Sequence, residues 1–154
     1  MNKLLTIAVI ATGAYLVTKS KDLSNEPRGI RNNNPGNIRH GARWQGMAEV
    51  QQDNAFITFE SPKYGIRAMA RVLNNYQKLH GISTIEGIIS RWAPSTENDT
   101  GSYVNSVSKA LNIPANQPLE VASVLPQLIP AIIKHENGKQ PYSAAQIDQG
   151  IALA

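Results

Sequence analysis

The chain has 154 residues, 42% hydrophobic and 17% charged, which suits one globular domain with a core of its own. It contains no cysteine, so a disulfide framework, a cysteine-based zinc site and any cysteine-type cell-wall peptidase or amidase are excluded. The net charge of +4 is unevenly placed: three of the 15 basic residues (Lys3, Lys19 and Lys21) lie in residues 1–21, which hold no acid, and the remainder balances 12 basic residues against 11 acidic ones. That near-neutral body removes most of the electrostatic motive for nucleic-acid binding.

Leu4 to Thr18 is uncharged and mainly apolar, flanked by Lys3, Lys19 and Lys21. As a helix it would span roughly 22 Å, short of the ~30 Å hydrocarbon core, a gap that snorkelling lysines or local thinning could close. The expectation is an N-terminal transmembrane helix over residues 1–21 that contacts the membrane through residues 4–18. The alternatives are a signal segment cleaved near Ala14, which the small residues Ala11 and Gly13 permit, and a buried core helix. Residues 22–27 are polar, include Pro27, and read as a linker to a single domain over residues 28–154.

Arg28 to Asn37 (Arg-Gly-Ile-Arg-Asn-Asn-Asn-Pro-Gly-Asn) is turn chemistry, with Pro35-Gly36 fitting the middle of a type II turn. Ala55 to Phe59 is strand-like after the Asp53-Asn54 turn, which predicts a small β-hairpin or a two- to three-stranded sheet. Helices follow. Ser61-Pro62 starts one, with Ile66, Met69, Ala70, Leu73 and Tyr76 on one face and Gly81 at its end. Ser83 and Glu86 have capping-box spacing ahead of Ile85, Ile88, Ile89 and Trp92, and Pro94 stops that helix. Asp99 or Thr100 caps a third, with Tyr103, Val104, Val107 and Leu111 inward. Pro114 and Pro118 punctuate before a fourth stretch over Leu119–Leu125. A fifth runs from about Leu128 to Glu136 and ends at Asn137-Gly138. Ser143 and Gln146 cap a last helix through Ile147 and Ile151. The predicted fold class is mainly α (α+β): a helical domain with a small β-hairpin.

The informative acid is Glu136, at the end of Ile132-Ile133-Lys134-His135-Glu136-Asn137-Gly138. A carboxylate in the last turn faces the negative end of the helix dipole, an unfavourable placement worth a few tenths to ~1 kcal/mol when exposed. Glycosidic cleavage needs a carboxyl group that holds its proton and then gives it to the leaving oxygen. The plainer reading is a solvated Glu balanced by Lys134 or Lys139. His40, His80 and His135 form no H-E-x-x-H pattern, so no metal or other cofactor is expected.

Ile-Ile-Lys-His-Glu-Asn-Gly resembles the helix-ending Glu motif of lysozyme-like enzymes. Asn32 to Ile38 is similar to the Asn-rich turn after the catalytic helix of flagellar-type glucosaminidases. Phe56 to Pro62 resembles that family's strand leading into the next helix, and Ala93 to Tyr103 resembles its later cleft segment. The Arg28–Ile38 run and Arg91-Trp92-Ala93-Pro94 also look like virion-associated lysins of bacteriophages. Together these cover about residues 28–150. The resemblance implies a lysozyme-like fold and a catalytic Glu136, with Tyr103, Asn98, Asp99, Asn34 and Asn37 as substrate-binding residues. In the enzymes compared, the Glu helix precedes the Asn-rich turn, whereas here it comes almost last. A circular permutation would reconcile the orders by placing Glu136 beside Asn32–Ile38 in space. If instead the order is kept, Glu26 becomes the acid; Glu60 and Glu97 are further rivals. Trp44 is weighed as a sugar platform against core packing. Arg28, Arg31 and Arg39 are weighed as contacts for substrate carboxylates against a solvated loop. Met69 and Trp92 read as core.

The expected function is cleavage of the glycan β-1,4 bond of peptidoglycan, by a lytic transglycosylase or a muramidase/glucosaminidase. The expected partners are peptidoglycan strands and a membrane, with no nucleic acid. The expected location is membrane-anchored, facing the periplasm or cell wall, or in a bacteriophage virion membrane. The alternative is a structural virion or membrane protein whose lysozyme-like body binds glycan without cutting it.

Overall fold

The computed structural model describes residues 22–154, which hold six helices. Helix α1 is a single turn, Arg28–Arg31, followed by a long irregular stretch; α2 is Pro62–His80, α3 Ile85–Trp92, α4 Thr100–Leu111, α5 Val121–Asn137 and α6 Ala144–Ala152. Their ends follow local chemistry. Proline opens α2, and Gly81 closes it in the left-handed conformation (φ +65°). The Asp99 carboxylate accepts from Ser102 N to cap α4, and Ser143 with Gln146 forms a full capping box on α6. The cap of α3 is Thr84, one residue beyond the expected Ser83: its side chain accepts from Gly87 N.

The core lies among α2 to α6. Ile66, Met69, Ala70 and Leu73 of α2 meet Ile85, Ile88 and Ile89 of α3, Val107 of α4, and Leu125, Leu128, Ile129, Ile132 and Ile133 of α5, all fully buried. Each such aliphatic side chain contributes about 1.5–3 kcal/mol. Helix α5 packs against α1, α2, α4 and α6. It joins the two helices expected at Leu119–Leu125 and Leu128–Glu136 into one, with Pro126 and Pro130 inside. Each proline lacks the N–H that would bond four residues back. Pro126 is exposed and Pro130 half-buried, so one turn apart they place these gaps toward the outer side while the apolar face stays intact.

The expected β-hairpin does not form. Among the described residues there are only two isolated antiparallel bridges, Arg39 with Phe56 and Met47 with Phe59. Side chains hold the bonds that a ladder would use: Asp53 Oδ1 accepts from Ala55 N and Phe56 N, Gln51 Oε1 from Thr58 N, and Ile57 O accepts from Asn34 Nδ2. The remaining amides go to different segments, Ile57 N to Ile38 O and Phe59 N to Asn32 O. A smaller cluster of Ile57, Phe59 and Ala68, flanked by Trp44, Met47 and Tyr64, packs this stretch on α2. Trp44 is half-buried against this cluster and does not line the cleft described below.

The expected transmembrane helix is also corrected. Among the described residues no helix is long and apolar enough to cross a membrane. Helix α2, at 19 residues, carries Lys63, Arg67, Arg71 and Lys78, and the 17 residues of α5 would span only about 25 Å. Residues 4–18, on which that expectation rests, lie outside the described residues. The expected linker, residues 22–27, is tied down: Lys139 forms an ion pair with Glu26, and Glu26 N bonds Leu23 O at 3.0 Å.

Candidate functional site

The Asn-rich turn is built by its own amides. Asn34 is fully buried; its Nδ2 donates to Ile38 O and Ile57 O, and its Oδ1 accepts from Ile38 N, all within 2.9 Å. Asn33 Nδ2 donates to Phe59 O, and Asn32 Nδ2 to Asp53 Oδ2. Asn33 and Asn37 take the left-handed conformation (φ +52° and +50°), whereas Gly36 does not, so Pro35-Gly36 is not the expected type II turn. Gly36 serves close approach instead. A Cβ there would lie 2.7 Å from Met69 Cγ and 3.0 Å from the Trp92 ring.

The end of α5 lies against this turn. Asn137 Nδ2 donates to Pro35 O at 2.8 Å and to Ile133 O at 3.0 Å. One residue earlier, Glu136 faces a cleft of about 470 Å³. One wall of the cleft is Asn37, Ile38, Arg39 and Phe56; the other is Trp92, Ala93, Pro94, Glu97 and Asn98. Three donors from three segments converge on the Glu136 carboxylate. Trp92 Nε1 (3.1 Å) and Tyr103 OH (2.9 Å) donate to Oε1, and Asn37 Nδ2 (3.1 Å) donates to Oε2. Tyr103 is 2% exposed and stacks on His135 with ring centroids 3.6 Å apart. Burial first, then the adjacent Glu136 charge, push its hydroxyl far above the usual phenol range. It therefore stays a donor at any working pH.

Two buried amide oxygens here, Asn37 Oδ1 and Asn137 Oδ1, have no hydrogen-bond partner among the described residues. Both face Gly29: a Cβ on that residue would lie 2.6 Å from Asn137 Oδ1 and 2.9 Å from Asn37 Oδ1 and from Asn34 O. Gly29 Cα–H groups are what these oxygens meet. If the Asn37 amide turned over, its oxygen would face Glu136 Oε2 and could accept a hydrogen bond from a protonated carboxyl there. The one side chain can thus serve either protonation state of the acid.

The structure brings Glu136, Asn37, Asn98 and Tyr103 together and separates the rest. Asn98 lines the cleft and donates to Pro94 O, and Tyr103 lies beneath the floor as a positioning residue. Asn34 is scaffold, with its amide fully engaged. Asp99 caps α4 and does not line the cleft; its Ser102 bonds hold the carboxyl below the usual carboxylate range. Glu26 and Glu60 are also absent from the lining, while Glu97 stands on the rim, 67% exposed. Trp92 was expected in the core on its helical spacing. It is half-buried and donates to the acid; an indole N–H seeks a partner when buried, and that signal was available. Phe56 and Tyr76, which also line the cleft, carried no distinctive sequence signal.

The Glu136 carboxyl group is thus held in a cleft by donors from three segments, and this chain is similar to a bacteriophage protein. Over 132 residues it is 45% identical to Protein P5 of Pseudoalteromonas phage PM2, across 83% of this chain and 82% of that one. The chain belongs to the same family as Protein P5, a name that describes no activity. No family model matches the sequence.

Proposed function

We propose that this chain is a peptidoglycan-cleaving glycosidase of a bacteriophage, associated with the virion, in which Glu136 is the general acid. The observation that carries this reading is the Glu136 carboxylate, aimed into the cleft and fixed by Asn37, Trp92 and Tyr103. The lysozyme-like resemblance of residues 28–150 adds weight, since the permuted order it requires needs Glu136 beside the Asn-rich turn. The proton on Glu136 passes to the leaving oxygen as the C1–O bond breaks. Among the described residues, Glu97 is the other carboxylate that lines the cleft. Glu97 is on the rim and paired with Arg39, and Asp99 is a helix cap. The substrate's own acetamido oxygen is then the group that can bond C1. Attack on C1 by the sugar's C6 hydroxyl then breaks that acetamido C1–O bond, the hydroxyl proton returns to Glu136, and the product is an anhydro sugar. This favours a lytic transglycosylase over a muramidase or glucosaminidase.

The test is mass spectrometry of sacculi digested by the protein. Anhydro-muropeptides support the transglycosylase form, and reducing ends support hydrolysis. Intact glycan with no loss of wall turbidity refutes cleavage. A second reading has its own observation: three protein donors already satisfy the carboxylate, as they would if Glu136 only tied α5 to α3, α4 and the Asn-rich turn. The protein would then be a virion component that binds glycan without cutting it.

A further inference from the structure

The arginines around the cleft differ in how far their donors are engaged. Arg28 is pinned to Asp53 through Nε (2.6 Å) and Nη2 (2.7 Å). Arg31 reaches Ser24 O at 3.5 Å. Arg91 contacts His80 and lies over the Tyr76 ring. Arg39 lines the cleft, and among the described residues its side chain makes no hydrogen bond. Its guanidinium lies 5.1 Å from the Phe56 ring centroid, on the wall of the cleft. Its ionic partner is Glu97, which reaches from the opposite wall to 3.6 Å; the two side chains are 65% and 67% exposed.

An exposed pair at that distance is weak, and it leaves most of the five guanidinium donors available. The Phe56 ring, which Arg28 also approaches at 4.6 Å, lies within cation–π reach of the planar fork. A planar fork of this kind suits a carboxylate, which it can bind through two parallel bonds. Glu97 then acts as the resident carboxylate that a ligand replaces. The geometry points to Arg39 as the specificity-determining residue of the cleft: it takes a carboxylate carried by the glycan strand in exchange for Glu97. This inference rests on the glycosidase reading. Peptidoglycan offers that chemistry from two sources, the lactyl group of its muramic sugar and the stem peptide attached there, whereas a plain N-acetylglucosamine polymer offers none.

The experiment titrates the Glu136→Gln protein, so that strands are not consumed, and follows tryptophan fluorescence. The three probes are peptide-bearing strands, strands stripped of peptide to leave free lactyl carboxylates, and neutral N-acetylglucosamine oligomers of matched length. The anionic probes should bind about fivefold more tightly than the neutral one, with the advantage shrinking as salt rises. Adding Arg39→Gln should abolish the advantage, Arg39→Lys should restore part of it, and Glu97→Gln should enlarge it by removing the competitor. A preference confined to the stripped strand identifies the lactyl carboxylate, one confined to the peptide-bearing strand identifies the stem, and one shared by both shows that Arg39 takes either carboxylate. Equal affinity for all three probes overturns the assignment, as does an Arg39→Gln loss as large on the neutral oligomer as on the anionic ones, or no binding at all. Wall clearance by the unmodified protein, measured alongside, separates the two ideas. Charge preference without clearance removes the cleavage reading and leaves Arg39 in place; clearance without charge preference does the reverse.

Discussion

Replacing Glu136 by Gln separates chemistry from architecture, because the structure predicts different sizes for the two effects. Gln keeps one oxygen for Trp92 Nε1 and Tyr103 OH, so both bonds survive in neutral form. Losing the charge weakens each by about 1 kcal/mol. Two terms act the other way. The negative end of α5 no longer faces a carboxylate, which returns about 0.3–1 kcal/mol. The new amide can also donate to Asn37 Oδ1 once that side chain turns over, and that oxygen is now buried without a partner. Satisfying it offsets about 1 kcal/mol. The net change in stability should stay within about 1 kcal/mol, a Tm shift of a few degrees for a domain this size. Wall clearance should fall about 10²- to 10⁴-fold, since an amide has no proton to give the leaving oxygen. Glu136→Ala is the control. It leaves three donors without an acceptor and should cost several kcal/mol. Thermal unfolding and turbidity must be read on the same preparations. A well-folded Glu136→Gln protein that clears walls at the original rate refutes the general acid. Severe destabilisation by Gln would instead indicate that the carboxylate ties the segments together, as in the glycan-binding reading.

Three further outcomes follow from the same geometry. Tyr103→Phe removes one donor to Glu136 from a buried site and should lower stability by about 1–2 kcal/mol in urea titration, with clearance reduced roughly tenfold as the acid loses its support; unchanged clearance would show that Tyr103 does not position the acid. Gly29→Ala places a methyl against Asn137 Oδ1, Asn34 O and Asn37 Oδ1 and should cost about 1–3 kcal/mol while displacing Asn37 from Glu136, to be checked by denaturation and by the clearance rate. Tyr142 is pushed up from 10.0 to about 12, by burial first and then by the Glu26 charge. The folded state therefore keeps a proton that the unfolded chain has lost, and stability should decline from about pH 10 to about pH 12. Tyr142→Phe should make that alkaline limb shallower, with Tyr103 and Tyr76 still contributing, at little cost near neutrality, because among the described residues the hydroxyl has no hydrogen-bond partner; an unaltered limb would exclude Tyr142 as a source.

What the sequence made legible is what depends on local spacing. Helical periodicity located α2, α3, α4 and α6, and the capping residues Asp99, Ser143 and Gly138 stand where their chemistry places them. The misjudged elements are those where side chains act in place of backbone. Ala55–Phe59 has strand composition, but Asp53, Gln51 and Asn34 take up its backbone groups, so no ladder propagates. The expected break between Leu125 and Leu128 falls on Pro126, whereas Pro130 lies inside the second of the two expected helices; a proline's cost is charged to the helix interior. The shared outward face of the two prolines could be judged only once the packing of α5 was known. In the site, Glu136 was legible from its helix end, and Asn37 from its turn. The separate roles within the Asn run were not, because four chemically identical amides diverge only in three dimensions: Asn34 becomes fully buried scaffold, while Asn37, three residues on, meets the acid.

Under the proposed glycosidase reading, chain order is the sharpest contrast with lysozyme-like enzymes, and the geometry of one junction gives a reason why it need not matter to the site. Glu136 and Asn137 are adjacent on one helix and therefore point about 100° apart. The first faces the cleft and the second reaches back to Pro35 O, across 102 residues of sequence. Asn37 closes the same junction from the other side, bonding Glu136 across 99 residues. Each bond constrains the other. If α5 were to rotate or slide, Asn137 would lose the turn at the moment Glu136 lost Asn37. Gly29 makes the approach possible, since a side chain there would occupy the space where both asparagine oxygens meet the α1 backbone. Placement of the acid thus depends on a junction between the end of α5 and the α1 turn, and such a junction is indifferent to which of the two the chain reaches first.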